Sequence, residues 1–146
     1  MNLTEHFTLE ELTTTDHREF DNTPNETERA NLVRLAGLLE LVKVALGGKP
    51  IMVNSAFRSK KVNDAVGSKD TSQHRIGCAA DIRVPGVTPD QVVKAVIAAK
   101  LPFDQLIREF DRWTHISIPN DLNGKPRGQT LIIDKAGVRP YATLQA

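Results

Sequence analysis

Two imidazoles and one carboxylate are the residues best placed to do chemistry in this chain. His74 and Asp81 stand at either end of an H-x6-D stretch inside Ser72-Gln73-His74-Arg75-Ile76-Gly77-Cys78-Ala79-Ala80-Asp81, and His115 follows in Trp113-Thr114-His115-Ile116-Ser117. Three nitrogen and oxygen donors of this kind hold Zn²⁺ in catalytic sites while a fourth position stays open to water, whose pKa the metal lowers to about 7. Such a site can hydrolyse an amide. On spacing alone the same residues also fit a surface or satisfied core histidine.

The elements that would have to position them can be read locally. Gly77 interrupts any helix between His74 and Asp81, so the stretch reads as a loop entering a short strand, Cys78 to Val84, closed by Pro85-Gly86. In Trp113 to Ile118 the alternation sets Trp113, His115 and Ser117 on one face and Thr114, Ile116 and Ile118 on the other. A polar face carrying a histidine beside an apolar face is the pattern of a strand lining a cleft.

The flanking words are more specific than the spacing. Val53-Asn54-Ser55-Ala56-Phe57-Arg58-Ser59, Val62-Asn63, Ser72-Gln73-His74-x-x-Gly77-x-Ala79-Ala80-Asp81-Ile82 and Trp113-x-His115-x-Ser117 resemble the zinc D-Ala-D-Ala carboxypeptidase family, peptidoglycan peptidases related in fold to the vancomycin-resistance D,D-dipeptidase and the hedgehog signalling domain. The resemblance runs from about Phe7 to about Ile118. It implies an α+β fold with a central antiparallel sheet and flanking helices, and Zn²⁺ held by His74, Asp81 and His115. It also implies substrate contact by Arg58 and Ser72. Arg58 follows a strand over Pro50 to Phe57, and its planar fork could grip a carboxylate or the scissile carbonyl oxygen as charge develops, or be a solvated member of Arg58-Ser59-Lys60-Lys61. Ser72 could contact substrate or cap the loop before His74.

The general base departs from the pattern of the relatives, many of which carry an acidic residue or a histidine three positions before the last ligand. That position is Arg112 here. Glu109 and Asp111 are the candidates. A hairpin around Phe110 to Thr114 would let Glu109 face His115 across the strands, while Asp111 would sit in the turn, so Glu109 is the expected base.

Composition bounds the rest. A length of 146 residues suits one domain, 1-146, able to bury about two-thirds of its unfolded surface. With one cysteine there is no disulfide, and Cys78 reads as a small buried strand residue rather than a nucleophile. A net charge of +1 and only 5% aromatic residues give neither a field nor a stacking surface for nucleic acid. Met1 to Phe7 shows no secretory pattern and no stretch has the length of a membrane span. The expectation is therefore a monomer made in the cytoplasm that reaches the wall through a holin-type pore.

Helices are expected at Thr8 to Leu12, from a Thr8/Glu11 capping box, at about Thr27 to Ala45 and at Pro89 to Ala99 behind Thr88. Strands are expected at about Gln105 to Phe110, Trp113 to Ile118 and Thr130 to Ile133. The tail from Asn120 reads as a loop plus an edge strand, with no wall-binding module, and His6 and His17 as solvated surface residues. The functional expectation is a zinc peptidase cutting the peptidoglycan stem peptide or cross-link, as a phage endolysin. A bacterial D,D-carboxypeptidase and a non-catalytic zinc-binding hedgehog-like module are the alternatives.

Overall fold

The longest helix forms where the sequence supplies both a start signal and an apolar stripe. In the computed structural model, which describes residues 1–141, Asn25 caps it and Glu28 reaches back to the Asn25 N–H, starting α2 (Glu26–Ala45) one residue earlier than its spacing suggests. Leu32, Leu35, Ala36, Leu39 and Val42 are all fully buried on its inner face. The same capping chemistry begins α1 (Leu9–Leu12), with Thr8 and Glu11, and α4 (Pro89–Ala98), with Thr88, Gln91 and Pro89 in the first turn. Before α4 lies α3 (Lys60–Ala65), a helix the sequence does not lead one to expect; Ser59 caps it, and Val62 and Asn63 are buried beneath it.

The strands are β1 (Met52–Ser55), β2 (Ala79–Arg83), β3 (Gln105–Glu109), β4 (Trp113–Ser117), β5 (Gln129–Asp134) and β6 (Gly137–Pro140). They form one sheet in the order β1-β2-β4-β3-β5-β6. Every neighbouring pair is antiparallel except β3 and β5, which run parallel. The tail strand is therefore an inner strand and not the edge that was expected. The edge on this side is β6, whose four residues are all exposed, and β1 is the edge on the other. Ile82, Leu106 and Ile116 turn one face of the sheet into a common core with α2 and α4. Asp81, His115, Ile107 and Glu109 stand on the other face, where the chemistry is.

A single 3₁₀ turn, Gln73–Ile76, carries His74 into that face and ends at Gly77. Gly77 has φ +79°, and a Cβ there would lie 2.8 Å from the Glu28 carbonyl oxygen and 3.1 Å from Leu32 Cγ. Backbone conformation and close packing on α2 thus both demand glycine. Gly86, at φ +80°, has open space around it. Gly77→Ala is expected to lose stability by more than the roughly 1–3 kcal/mol of a left-handed non-glycine residue, and Gly86→Ala by no more than that range. Urea unfolding of the two variants side by side measures the difference, and equal losses would contradict the packing role.

Candidate metal centre

Strand register creates half of the cluster. Asp81 of β2 pairs directly with His115 of β4, and Asp81 Oδ1 lies 3.0 Å from His115 Nδ1. The 3₁₀ turn delivers the third group, with His74 Nε2 3.4 Å from Asp81 Oδ2. The two imidazole rings meet edge to face at 5.2 Å. One ligand atom from each of the three residues lies within 4.8 Å of the others, the one such cluster of three or more metal-ligating side chains among the described residues.

The proton positions decide what the cluster wants. His74 Nδ1 sits 2.7 Å from the Ala56 carbonyl oxygen, an acceptor, so this nitrogen carries the hydrogen and donates it. Burial lowers the His74 pKa and keeps the ring neutral. Its Nε2 lone pair therefore points at a carboxylate oxygen, two acceptors facing each other in a buried place. Convergent lone pairs of this kind fit a divalent cation, and an N₂O donor set suits zinc among the common ones.

Local contacts fix His74 from behind. The Ala56 carbonyl holds the His74 ring, as a histidine ligand's second nitrogen is held in metal sites. Ser72 caps the 3₁₀ turn, its Oγ accepting the His74 N–H at 3.2 Å, so the structure supplies the capping role. Ser72 also lines a cleft of about 570 Å³ that opens beside His115. Asn63, fully buried, donates to the Lys69 carbonyl at 2.9 Å and ties α3 to the loop that leads into the turn.

Arg58 stands at the end of β1 beside the cluster. Its backbone N–H donates to the His74 carbonyl at 2.9 Å, and its buried Nε has no hydrogen-bond partner among the described residues. Burial lowers its pKa, and the Asp81 and Glu109 carboxylates nearby work against that. Asn22 brackets it: the side chain donates to the Phe57 carbonyl at 3.1 Å and accepts the Ser59 N–H at 2.7 Å. Nothing in the spacing of Asn22 announces this role, because the contact spans 35 residues.

Glu109 and Asp111 part company here. The hairpin register pairs Glu109 with Trp113 and Ile107 with His115, so Glu109 meets His115 diagonally and not directly across, with Oε1 4.0 Å from His115 Nδ1. Burial first, then the Asp81 charge, raise the Glu109 pKa. Asp111 lies in the turn at φ +52°, exposed, and is held by the Arg108 guanidinium, with Nη2 to Oδ2 at 3.2 Å. Arg112 is exposed in the same turn. Cys78 is fully buried outside the cluster, and its thiol is pushed up to about 11 by burial. His6 and His17 pair with Glu40 at 2.7 Å and Glu19 at 3.3 Å, away from the site.

Comparison with known proteins places the chain in a peptidase family. The family model described as Peptidase M15 matches residues 5–117, most of the chain and all three cluster residues, and the chain belongs to that family. A 56-residue segment, 38% of the chain, is 43% identical to the zinc D-Ala-D-Ala carboxypeptidase of Streptomyces albus G. That segment covers 22% of the carboxypeptidase, so the chain spans much less than the relative's full length.

If the three groups form one site, Asp81→Asn removes the charge that bridges both imidazoles while keeping the shape of the side chain. Metal content by mass spectrometry of the purified chain is then expected to fall from about one divalent ion to near none, with the circular dichroism unchanged. Retention of the ion by the variant would contradict the shared site.

Proposed function

We propose that the chain is a zinc peptidase that cleaves a peptide bond in the stem peptide or cross-link of bacterial peptidoglycan, with His74, Asp81 and His115 as ligands. The observation that carries the reading is the buried pair of acceptors, His74 Nε2 and Asp81 Oδ2 at 3.4 Å, beside His115. Membership of a peptidase family and the similarity to a zinc D-Ala-D-Ala carboxypeptidase support the metal and the substrate class. When bound, zinc supplies Lewis-acid polarisation of the scissile carbonyl and acidifies water.

The chain's own residues do the rest. Glu109, with its pKa raised by burial and by Asp81, takes the proton from the attacking water and returns it to the leaving amine. Arg58 presents N–H donors to the oxygen on which negative charge develops, or to a substrate carboxylate. Ser72 contacts the peptide at the mouth of the cleft. No helix among the described residues is long and apolar enough to cross a membrane. A lysis role, as a phage endolysin released through a holin pore, adds that the substrate is assembled wall rather than a soluble precursor.

The test separates the two acidic candidates on the substrate itself. Purified walls are digested and the muropeptides are read by mass spectrometry, which also names the bond. Glu109→Gln is expected to keep metal and fold yet lose roughly 10²–10⁴-fold in rate, the usual share of a general base. Asp111→Asn is expected to stay active, because asparagine serves the same turn. The reverse result would make Asp111 the base, and no release of muropeptides by the metal-loaded parent chain would sink the peptidase reading.

A further inference from the structure

The cleft beside His115 contains a charged device that the metal chemistry does not use. Asp104, only 4% exposed, accepts hydrogen bonds from the Arg127 backbone N–H at 3.0 Å, from Arg127 Nε at 3.1 Å, from Arg127 Nη2 at 2.7 Å and from Gln73 Nε2 at 3.1 Å. Gln73 Nε2 also reaches the Ile118 carbonyl at 2.9 Å and Asn120 Oδ1 at 2.8 Å. Gln73 is the residue before His74. One network therefore fixes the position of Arg127 relative to a metal-ligating histidine.

Asp104 occupies the Nε and Nη2 edge of the Arg127 guanidinium. Nη1 has no partner among the described residues, the side chain is 55% exposed, and it lines the same cleft as His115 and Ser72. An arginine held in this way loses little freedom when it meets a ligand. Its free edge is suited to a carboxylate. Lys125 and Asp121 in the same lining offset each other as Arg127 and Asp104 do, so the cleft has no net field for a polyanion and any anion recognition falls to the free edge of Arg127. A pair serving folding alone would gain little from a carboxylate removed from water.

We propose that Arg127, oriented by Asp104, is a specificity-determining residue that binds an interior carboxylate of the peptide substrate. This assignment rests on the peptidase reading and deepens it. The group concerned is a free carboxylate, as against its amide, carried by a residue inside the peptide, and it is separate from the oxygen that Arg58 serves; γ-linked D-glutamate and D-isoglutamine supply the two forms for a test.

The experiment titrates the full-length chain, monitored by NMR, with two pentapeptides, L-Ala-γ-D-Glu-L-Lys-D-Ala-D-Ala and its D-isoglutamine counterpart. Hydrolysis is followed in the same samples by mass spectrometry. The free-carboxylate peptide is expected to bind roughly tenfold more tightly, the usual worth of a charge-assisted hydrogen bond. In Arg127→Gln the ratio is expected to fall to about one, and in Arg127→Lys, which keeps the charge without the fork, to an intermediate value. Equal binding of the two peptides by the parent chain, or a ratio that survives Arg127→Gln, would overturn the assignment. A preference without hydrolysis upholds it and counts against the peptidase reading alone.

Discussion

The site depends on a carboxylate placed between two imidazoles, one of which meets it with a lone pair and not a proton. Asp81 is there because β2 pairs with β4 in the register that sets it opposite His115. His74 is there because a 3₁₀ turn ends at position 77, where a left-handed backbone and contact with α2 admit only glycine. The Ala56 carbonyl then uses up the hydrogen of His74 Nδ1, and the remaining lone pair faces Asp81. Facing acceptors in a buried place are costly unless a cation joins them, so the fold itself builds a demand for metal.

Around this centre the polar groups divide between two sides. Arg58 and Glu109 lie against Asp81 on the side of β1 and the β3–β4 hairpin. Gln73, Asp104 and Arg127 lie on the side of the cleft that opens past His115. The 3₁₀ turn belongs to both, since its backbone accepts the Arg58 N–H and its first residue joins the Asp104 network. A displacement of the turn would therefore disturb His74, Arg58 and the cleft together.

Much of this was legible in the sequence where the determinants are local. The capping pairs Thr8/Glu11 and Thr88/Gln91 and the α2 stripe gave helices within a residue or two of those observed, and alternation in Trp113 to Ser117 gave the face that carries His115. The parallel insertion of β5 beside β3 was not legible, because it depends on pairing across the long loop that follows β4 and leaves no mark in residues 129–134 themselves. Glu109 was placed in the right neighbourhood through the hairpin, yet its true partner across the strands is Trp113, a shift that follows from Phe110 and Asp111 both adopting positive φ in the turn. Asn22, Gln73 and Asp104 were missed as site residues since each acts through contacts made at long range.

X-ray absorption at the zinc edge of the metal-loaded chain tests the central claim most directly. The account predicts a first shell of nitrogen and oxygen only, at about 2.0–2.2 Å, with the outer-shell scattering of two imidazoles. A sulfur scatterer at about 2.3 Å would bring Cys78 into the site, and together with the absence of imidazole scattering it would contradict the role assigned to His74, Asp81 and His115.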